Sequence, residues 1–340
     1  MTASLIAGLS GVMLSEDERS FYRDVQPAGL ILFRRNIFDR AQFARLIDET
    51  RDAVGREDFL ILIDQEGGRV QRLRPPIART LPSAAAFADV YAEDPELAKE
   101  SAFAVARLTA EELRNYGITM NCAPVADLAI AGAHEIISDR AYGTSVPQVV
   151  ALARAVAEGY LAGGVVPVVK HIPGHGRATA DSHFGLPIIP TRHSKLSETD
   201  FAPFKALADL PAAMTAHVVY SAIDADNPAS TSDIVTRDVI RGEIGFDNLL
   251  MSDDLSMKAL NGPMRARAEA VIAAGSDIAL HCNGDLAEMR AAAEGVPPLA
   301  GRAAEEFAAA FACIGRSEPY DKGRALQLLA GVLGAQTPIV

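Results

Sequence analysis

Eight short apolar runs, each followed by a stretch of helical period, predict an α/β chain folded as a (β/α)8 barrel. Three observations carry this expectation. The runs are apolar throughout rather than alternating, which is how strands covered on both faces of a parallel sheet read. They recur every few tens of residues along the 340-residue chain, enough for a strand and a crossover helix each. Polar residues gather at the C-terminal ends of the runs, the face on which barrel enzymes build their sites. A doubly wound open sheet is the alternative, but there only the strand ends near the switch point would carry function.

The runs are Ser4–Leu9, Gly29–Phe33, Phe59–Asp64, Thr119–Asp127, Val165–His171, Ala212–His217, Asn248–Asp254 and Asp277–Cys282. Examples of the helical stretches that follow are Arg40–Val54, Asp94–Tyr116, Val146–Leu161, Thr236–Ile244 and Gly262–Ala274. The stretch Leu299–Gly334 is rich in Ala and reads as a helical extension that closes or extends the barrel. No low-complexity linker and no internal repeat divides the chain. The expected organisation is one domain over residues 1–340, with a catalytic core at about 4–298 and a helical C-terminal extension at about 299–334.

The bulk composition narrows the function classes. Hydrophobic residues make up 49% and charged residues 22%, sufficient for a large core. The formal charge of −12 comes with no basic face, which argues against nucleic acid or an anionic membrane as the main partner. Cys122, Cys282 and Cys313 are odd in number and far apart, so a reducing compartment and no disulfide framework are expected. The N-terminus lacks a basic region and turns acidic at Glu16, unlike a signal peptide. No apolar run approaches the ~18 residues of a membrane span. A cytoplasmic monomer acting on a small molecule is the expectation.

The most informative segment is Lys170–Pro187, KHIPGHGRATADSHFGLP, which leaves the fifth run. It holds three histidines, an Asp, a Lys, an Arg and three glycines, with no helical or strand period. Within it, Asp181 stands two residues before His183, where a carboxylate can set the imidazole tautomer and build a general acid/base. His171, His175, Asp181 and His183 also suggest a metal site, but their spacing matches no ligand pattern, and a flexible lid ranks above the metal. Gly174, Gly176 and Gly185 favour a lid that moves an acid/base into place.

Asp253 and Asp254 end the seventh run, in LLMSDDLSM. Either can serve as nucleophile, base or metal ligand. Strand parity turns them in opposite directions, so one is expected at the site and the other at a helix cap. Their pattern alone leaves open which is which. The stretch DQEGGRVQRLR, Asp64–Arg74, ends the third run with a double Gly and brings Arg69 and Arg72 to the barrel mouth. An Asp and an Arg together suit the vicinal hydroxyls of a sugar. Arg140, in IISDRAYG, is a further such donor. His217 and His281 are read as structural, and Cys122 as core.

Taken together, KH-I-PGHG-x4-DSH-x-GLP, IDQEGGRVQR and SDDLSM resemble the bacterial β-N-acetylglucosaminidases of glycoside hydrolase family 3, in particular the single-domain enzymes of peptidoglycan recycling. AGLSG, GLILFRRN, NCAPVADL and MTAHVVY fit as well, so the likeness runs from about Gly8 to about Asn283. The resemblance implies that Asp253 is the nucleophile, His183 the general acid/base and Asp181 its partner. It implies that Asp64, Arg72, Arg140, Lys170 and His171 grip N-acetylglucosamine, with no metal or organic cofactor. The implied reaction is exo-hydrolysis with retention of the β configuration, on muropeptides that carry an anhydro-muramic acid. Two residues depart from what the resemblance leads one to expect: Gln65 stands in place of a His, and His281 in place of a small apolar residue. Two readings compete. One is a phosphorylase, since a His acid/base leaves less negative charge at the site than a Glu and admits phosphate. The other is a non-catalytic sugar-binding barrel, against which the set of Asp181, His183 and Asp253 argues.

Overall fold

The computed structural model describes residues 1–134, 136–178, 185–315 and 317–335. Eight parallel strands close a barrel in chain order. They are β1 (Ala3–Ala7), β2 (Pro27–Leu32), β3 (Leu60–Ile63), β4 (Met120–Asn121), β5 (Val166–Ile172), β6 (Ala212–Thr215), β7 (Leu249–Asp254) and β8 (Ile278–His281). Each overlaps one of the eight apolar runs, and β8 pairs back onto β1 with Leu5 beside Ala279. The barrel, not the open sheet, is the architecture.

Two apolar layers hold it together, which is why the strands read as unbroken apolar runs. The inner layer fills the barrel with Ile6, Leu60, Leu62, Cys122, Val168, Met251 and their neighbours. The outer layer lies between strands and helices and includes Leu5, Ile61, Val169, Leu250 and Ala279. Cys122 is thus core, as expected, and burial pushes its thiol far above the usual range.

Helix Arg40–Val54 starts at Asp39, whose side chain accepts the Gln42 N–H, and stops at Gly55 in the left-handed conformation. Helix Pro95–Arg114 is likewise capped by Asp94 and packs closely on helix Val146–Ala162. A separate helix, Ala84–Glu93, precedes it, an element with no counterpart in the sequence reading. The C-terminal stretch forms two helices with different tasks. Gly301–Phe311 sends Phe307 and Ala310 into the inner layer. Its Arg302 binds the Asp247 carbonyl and the Asp277 carboxylate at the N-terminal ends of β7 and β8. This helix therefore plugs the barrel at the end away from the C-terminal mouth. Lys322–Ala335 instead packs on Pro95–Arg114. No helix among the described residues is long and apolar enough to cross a membrane.

Candidate active site

After β3 the chain enters a small antiparallel hairpin, Gln65–Gly67 against Val70–Gln71. Glycine is required at its turn. Gly67 has φ +107°, and a Cβ there would lie 2.1 Å from the Pro82 carbonyl oxygen. Gln65 turns away from the barrel mouth and is buried. Its amide oxygen accepts the N–H groups of Arg72 and Leu73, each at 3.0 Å, and its amide nitrogen donates to the Leu73 carbonyl at 2.9 Å. The clasp carries Asp64, Glu66 and Arg72 as one unit.

Its two carboxylates meet Arg72 of the same clasp, Lys170 of β5 and Arg140 of the turn Ser138–Arg140. Arg72 donates to Asp64 Oδ2 at 3.0 Å, and Lys170 donates to Asp64 Oδ1 at 2.8 Å. The Lys170 ammonium also lies 2.7 Å from Glu66 Oε1. Arg140 grips both oxygens of Glu66, through Nε and Nη2, at 2.8 Å each. Burial alone would raise both carboxyls, but the cations outweigh it. Lys170 and Arg72 hold Asp64 well below the usual carboxylate range. Arg140 and Lys170 bring Glu66 down to about 2. Burial works against the Lys170 charge, and Asp64 and Glu66 reverse that, so its ammonium titrates higher than a free lysine.

The end of β5 is fixed by Asp127, from the loop after β4. Asp127 Oδ2 lies 2.7 Å from His171 Nδ1 and accepts the His171 backbone N–H at 3.2 Å. Oδ1 accepts the His175 N–H at 2.6 Å. A carboxylate on Nδ1 keeps the proton there and leaves Nε2 to face the cavity. The His175 ring packs edge-on against His171 at 5.6 Å, and burial followed by the His171 charge pushes its imidazole down to about 4. Among the described residues no group of three or more His, Cys, Asp and Glu is placed to hold a metal ion.

Two of the glycines read as lid hinges prove to be packing glycines. A Cβ on Gly176 would lie 2.2 Å from the Leu128 carbonyl oxygen, and one on Gly174 would lie 2.9 Å from that of Asp200. Gly174 also accepts the Tyr220 hydroxyl. Arg177 binds Asp200 at 2.7 Å. The first half of the loop is therefore tied down.

At the end of β7 the register against β8 shifts between Met251 and Asp254. This irregularity corrects the parity argument, because a bulge re-aims side chains. Asp253 and Asp254 both reach the cavity wall. Their commitments differ. Asp254 accepts the N–H groups of Ser256 and Cys282, each at 3.0 Å, and the Ser256 hydroxyl. The Asp253 carboxylate accepts the Asp254 N–H at 2.8 Å and no other hydrogen bond among the described residues. Burial would raise its carboxyl, but His217, His171 and that N–H together hold it below the usual range. His217 is fully buried, with Nδ1 2.6 Å from Ser230 Oγ and Nε2 3.0 Å from the Asp254 carbonyl. The carbonyl accepts only, so Nε2 carries the proton and the ring braces the strand end. His281 points away from the mouth to Glu288, 3.2 Å distant.

Asp64, Arg72, Arg140, Lys170, His171 and Asp253 line a single cavity of about 320 Å³ at the C-terminal mouth of the barrel. The apolar part of its wall includes Phe33, Met214 and Leu280. Asp181 and His183 lie outside the described residues. Sequence reasoning missed Glu66 and left Asp127 without a role. A signal for Glu66 existed, because residues two apart on an extended segment share a face. Asp64 therefore announces position 66. Phe33 was missed too. The guanidinium groups of Arg35 and Arg72 lie over its ring, 4.8 and 5.1 Å from its centre.

With this geometry in hand, the chain matches the glycosyl hydrolase family 3 N-terminal domain over residues 4–309. It belongs to that family. A β-hexosaminidase from Alkalilimnicola ehrlichii is 41% identical over 283 residues, 82% of this chain and 80% of that protein. A family 3 β-N-acetylglucosaminidase from Paenibacillus superposes with a TM-score of 0.86 at 29% identity, covering 97% of this chain and 67% of that one. NagZ from Neisseria gonorrhoeae, in complex with N-trifluoroacetyl-D-glucosamine, superposes with a TM-score of 0.84 at 31% identity, covering 98% and 96%. This family 3 member is a glycoside hydrolase built on a (β/α)8 barrel.

Proposed function

We propose that the protein is an exo-acting, retaining β-N-acetylglucosaminidase that removes terminal N-acetylglucosamine from small β-linked substrates, muropeptides with an anhydro-muramic acid among them. The observation that carries the reading is the contrast within the cavity. One carboxylate, Asp253, keeps an oxygen without a hydrogen bond among the described residues and faces a wall in which carboxylates and cations are already paired. A paired wall binds hydroxyls and a free carboxylate attacks. The cavity is at the small end of ligand sites, about 300–1,000 Å³, which suits one sugar ring at a chain end rather than a long glycan.

In this mechanism Asp253 attacks the anomeric carbon and forms a glycosyl-enzyme, while His183, partnered by Asp181, protonates the departing oxygen. His183 then takes a proton from the water that releases the sugar, with two inversions giving net retention. A histidine suits both half-reactions because it titrates near neutral pH. Asp64, Arg72, Arg140, Lys170 and His171 hold the sugar hydroxyls with charge-assisted hydrogen bonds.

The test is release of 4-nitrophenol from its N-acetyl-β-glucosaminide at neutral pH, with EDTA and without phosphate. Turnover supports the reading. A folded enzyme that is inert until phosphate is added overturns it in favour of a phosphorylase, and one inert under both conditions leaves a sugar-binding barrel. A second expectation concerns His183→Ala. It should slow disaccharide substrates by about 10²–10⁴-fold, because their leaving oxygen needs a proton, and slow aryl glycosides far less. Equal losses on the two substrate types would remove the acid role from His183.

A further inference from the structure

We propose that Glu66 is a positioning residue for the glycosidase reaction: it aims Lys170 and Arg140 at the sugar and keeps the two cations together. The proposal rests on the reading of Lys170 and Arg140 as sugar-binding groups. It follows from the division of work between two carboxylates. Asp64 binds Lys170 and Arg72, whereas Glu66 binds Lys170 and Arg140. The two share only Lys170, so the contacts of Asp64 do not reach Arg140.

Donor arithmetic shows what Glu66 achieves. A guanidinium has five N–H groups in a rigid fork. Glu66 takes one from Nε and one from Nη2, and the Ile136 carbonyl takes one from Nη1 at 3.1 Å. Three anchors fix the plane and, among the described residues, leave one N–H on each terminal nitrogen for a ligand. An ammonium has three N–H groups. Asp64 and Glu66 take two from Lys170, leaving, among the described residues, one whose direction is set by the other two. The Glu66 side chain is 7% exposed and Lys170 is 3% exposed, so water does not substitute for these bonds. Charge acts in the same direction. Three cations, Arg72, Arg140 and Lys170, face two carboxylates. Without Glu66 they would face one, and Arg140 and Lys170 would repel each other across the gap.

The experiment is steady-state kinetics of Glu66→Gln on 4-nitrophenyl N-acetyl-β-glucosaminide, after the wild type has been assayed. Glutamine keeps the shape but turns an NH2 toward groups that only donate. KM should rise about tenfold or more, with kcat within about threefold, because contacts on non-reacting hydroxyls hold ground and transition states alike. A purely structural ion pair would lower thermal stability and leave KM where it was. KM within twofold of wild type therefore overturns the proposal, as does a fall in kcat at unchanged KM. A folded wild type without turnover overturns the underlying reading of the site and this proposal with it. Where Glu66→Gln does not fold, Glu66→Asp keeps the charge but withdraws it by one methylene. KM should then rise about fivefold or more, and an unchanged KM for that variant overturns the proposal equally.

Discussion

Replacing Asp253 with Ala should lower kcat by about 10⁴-fold or more while leaving the affinity for free N-acetylglucosamine within a few fold of wild type. The expectation follows from hydrogen-bond commitments. Asp254 has both oxygens engaged and ties the turn after β7 to the start of the next loop. Asp253 has one oxygen that binds nothing among the described residues, and it faces the cavity. Its depressed pKa adds a pH expectation. The nucleophile works ionised, so activity is present above the folded pKa of Asp253 and lost as pH falls through it. That pKa lies below the ordinary value of about 3.9, so the acidic limb of kcat/KM should fall on the acid side of that value. The same preparation would be titrated with N-acetylglucosamine by calorimetry, which separates lost chemistry from lost fold. Near-normal turnover in Asp253→Ala would transfer the nucleophile to Asp254 or end the glycosyl-enzyme mechanism for this chain.

Lys170→Met should destabilise the fold by about 3–5 kcal/mol and abolish measurable sugar binding. Lys170 is 3% exposed and bridges Asp64 and Glu66, which are 13% and 7% exposed. Methionine matches the length of the stem but leaves two buried carboxylates with one cation fewer between them. Because breaking a buried ion pair strands the remaining charge, the effect exceeds that of a surface pair several-fold. The pH dependence has a definite sign. In the wild type both carboxyls titrate lower in the folded chain than in the unfolded one. Their contribution is complete above about pH 5 and is lost as pH falls toward the Glu66 value of about 2. In the variant their folded pKa values rise, so the deficit is largest near neutrality and shrinks on acidification. Urea unfolding of both proteins at pH 7 and pH 4 measures this. A deficit below about 1 kcal/mol that does not change with pH would show that the pair lacks this weight.

Much of the molecule was legible in its sequence, for identifiable reasons. The eight strands stood out because each is buried on both faces, which leaves a continuous apolar signature. Helix Arg40–Val54 was placed with its observed bounds, since Asp39 and Gly55 mark both ends. Asp64, Lys170, His171 and Asp253 were readable as residues of the barrel mouth because they stand at or near strand ends, and they line its cavity. Helix Ala84–Glu93 escaped notice. Its short sequence, AAAFADVYAE, runs almost directly into the longer helix that follows at Pro95.

The sequence by itself determined the barrel, the family and the residue types that meet at its mouth. These depend on local periodicity and on motifs read along the chain. Only the tertiary structure showed that Asp253 and Asp254 both reach the cavity wall, because a register shift against β8 overrides the simple alternation of a strand, and that their carboxylates carry different hydrogen bonds. It also decided that Glu66 bridges Arg140 and Lys170, which lie 74 and 104 positions further along the chain. Likewise, Gly176 serves close packing against Leu128 rather than hinge motion. In each case the deciding quantity is a hydrogen bond or an approach between distant segments. Such contacts come into being when the barrel closes, and no local pattern encodes them.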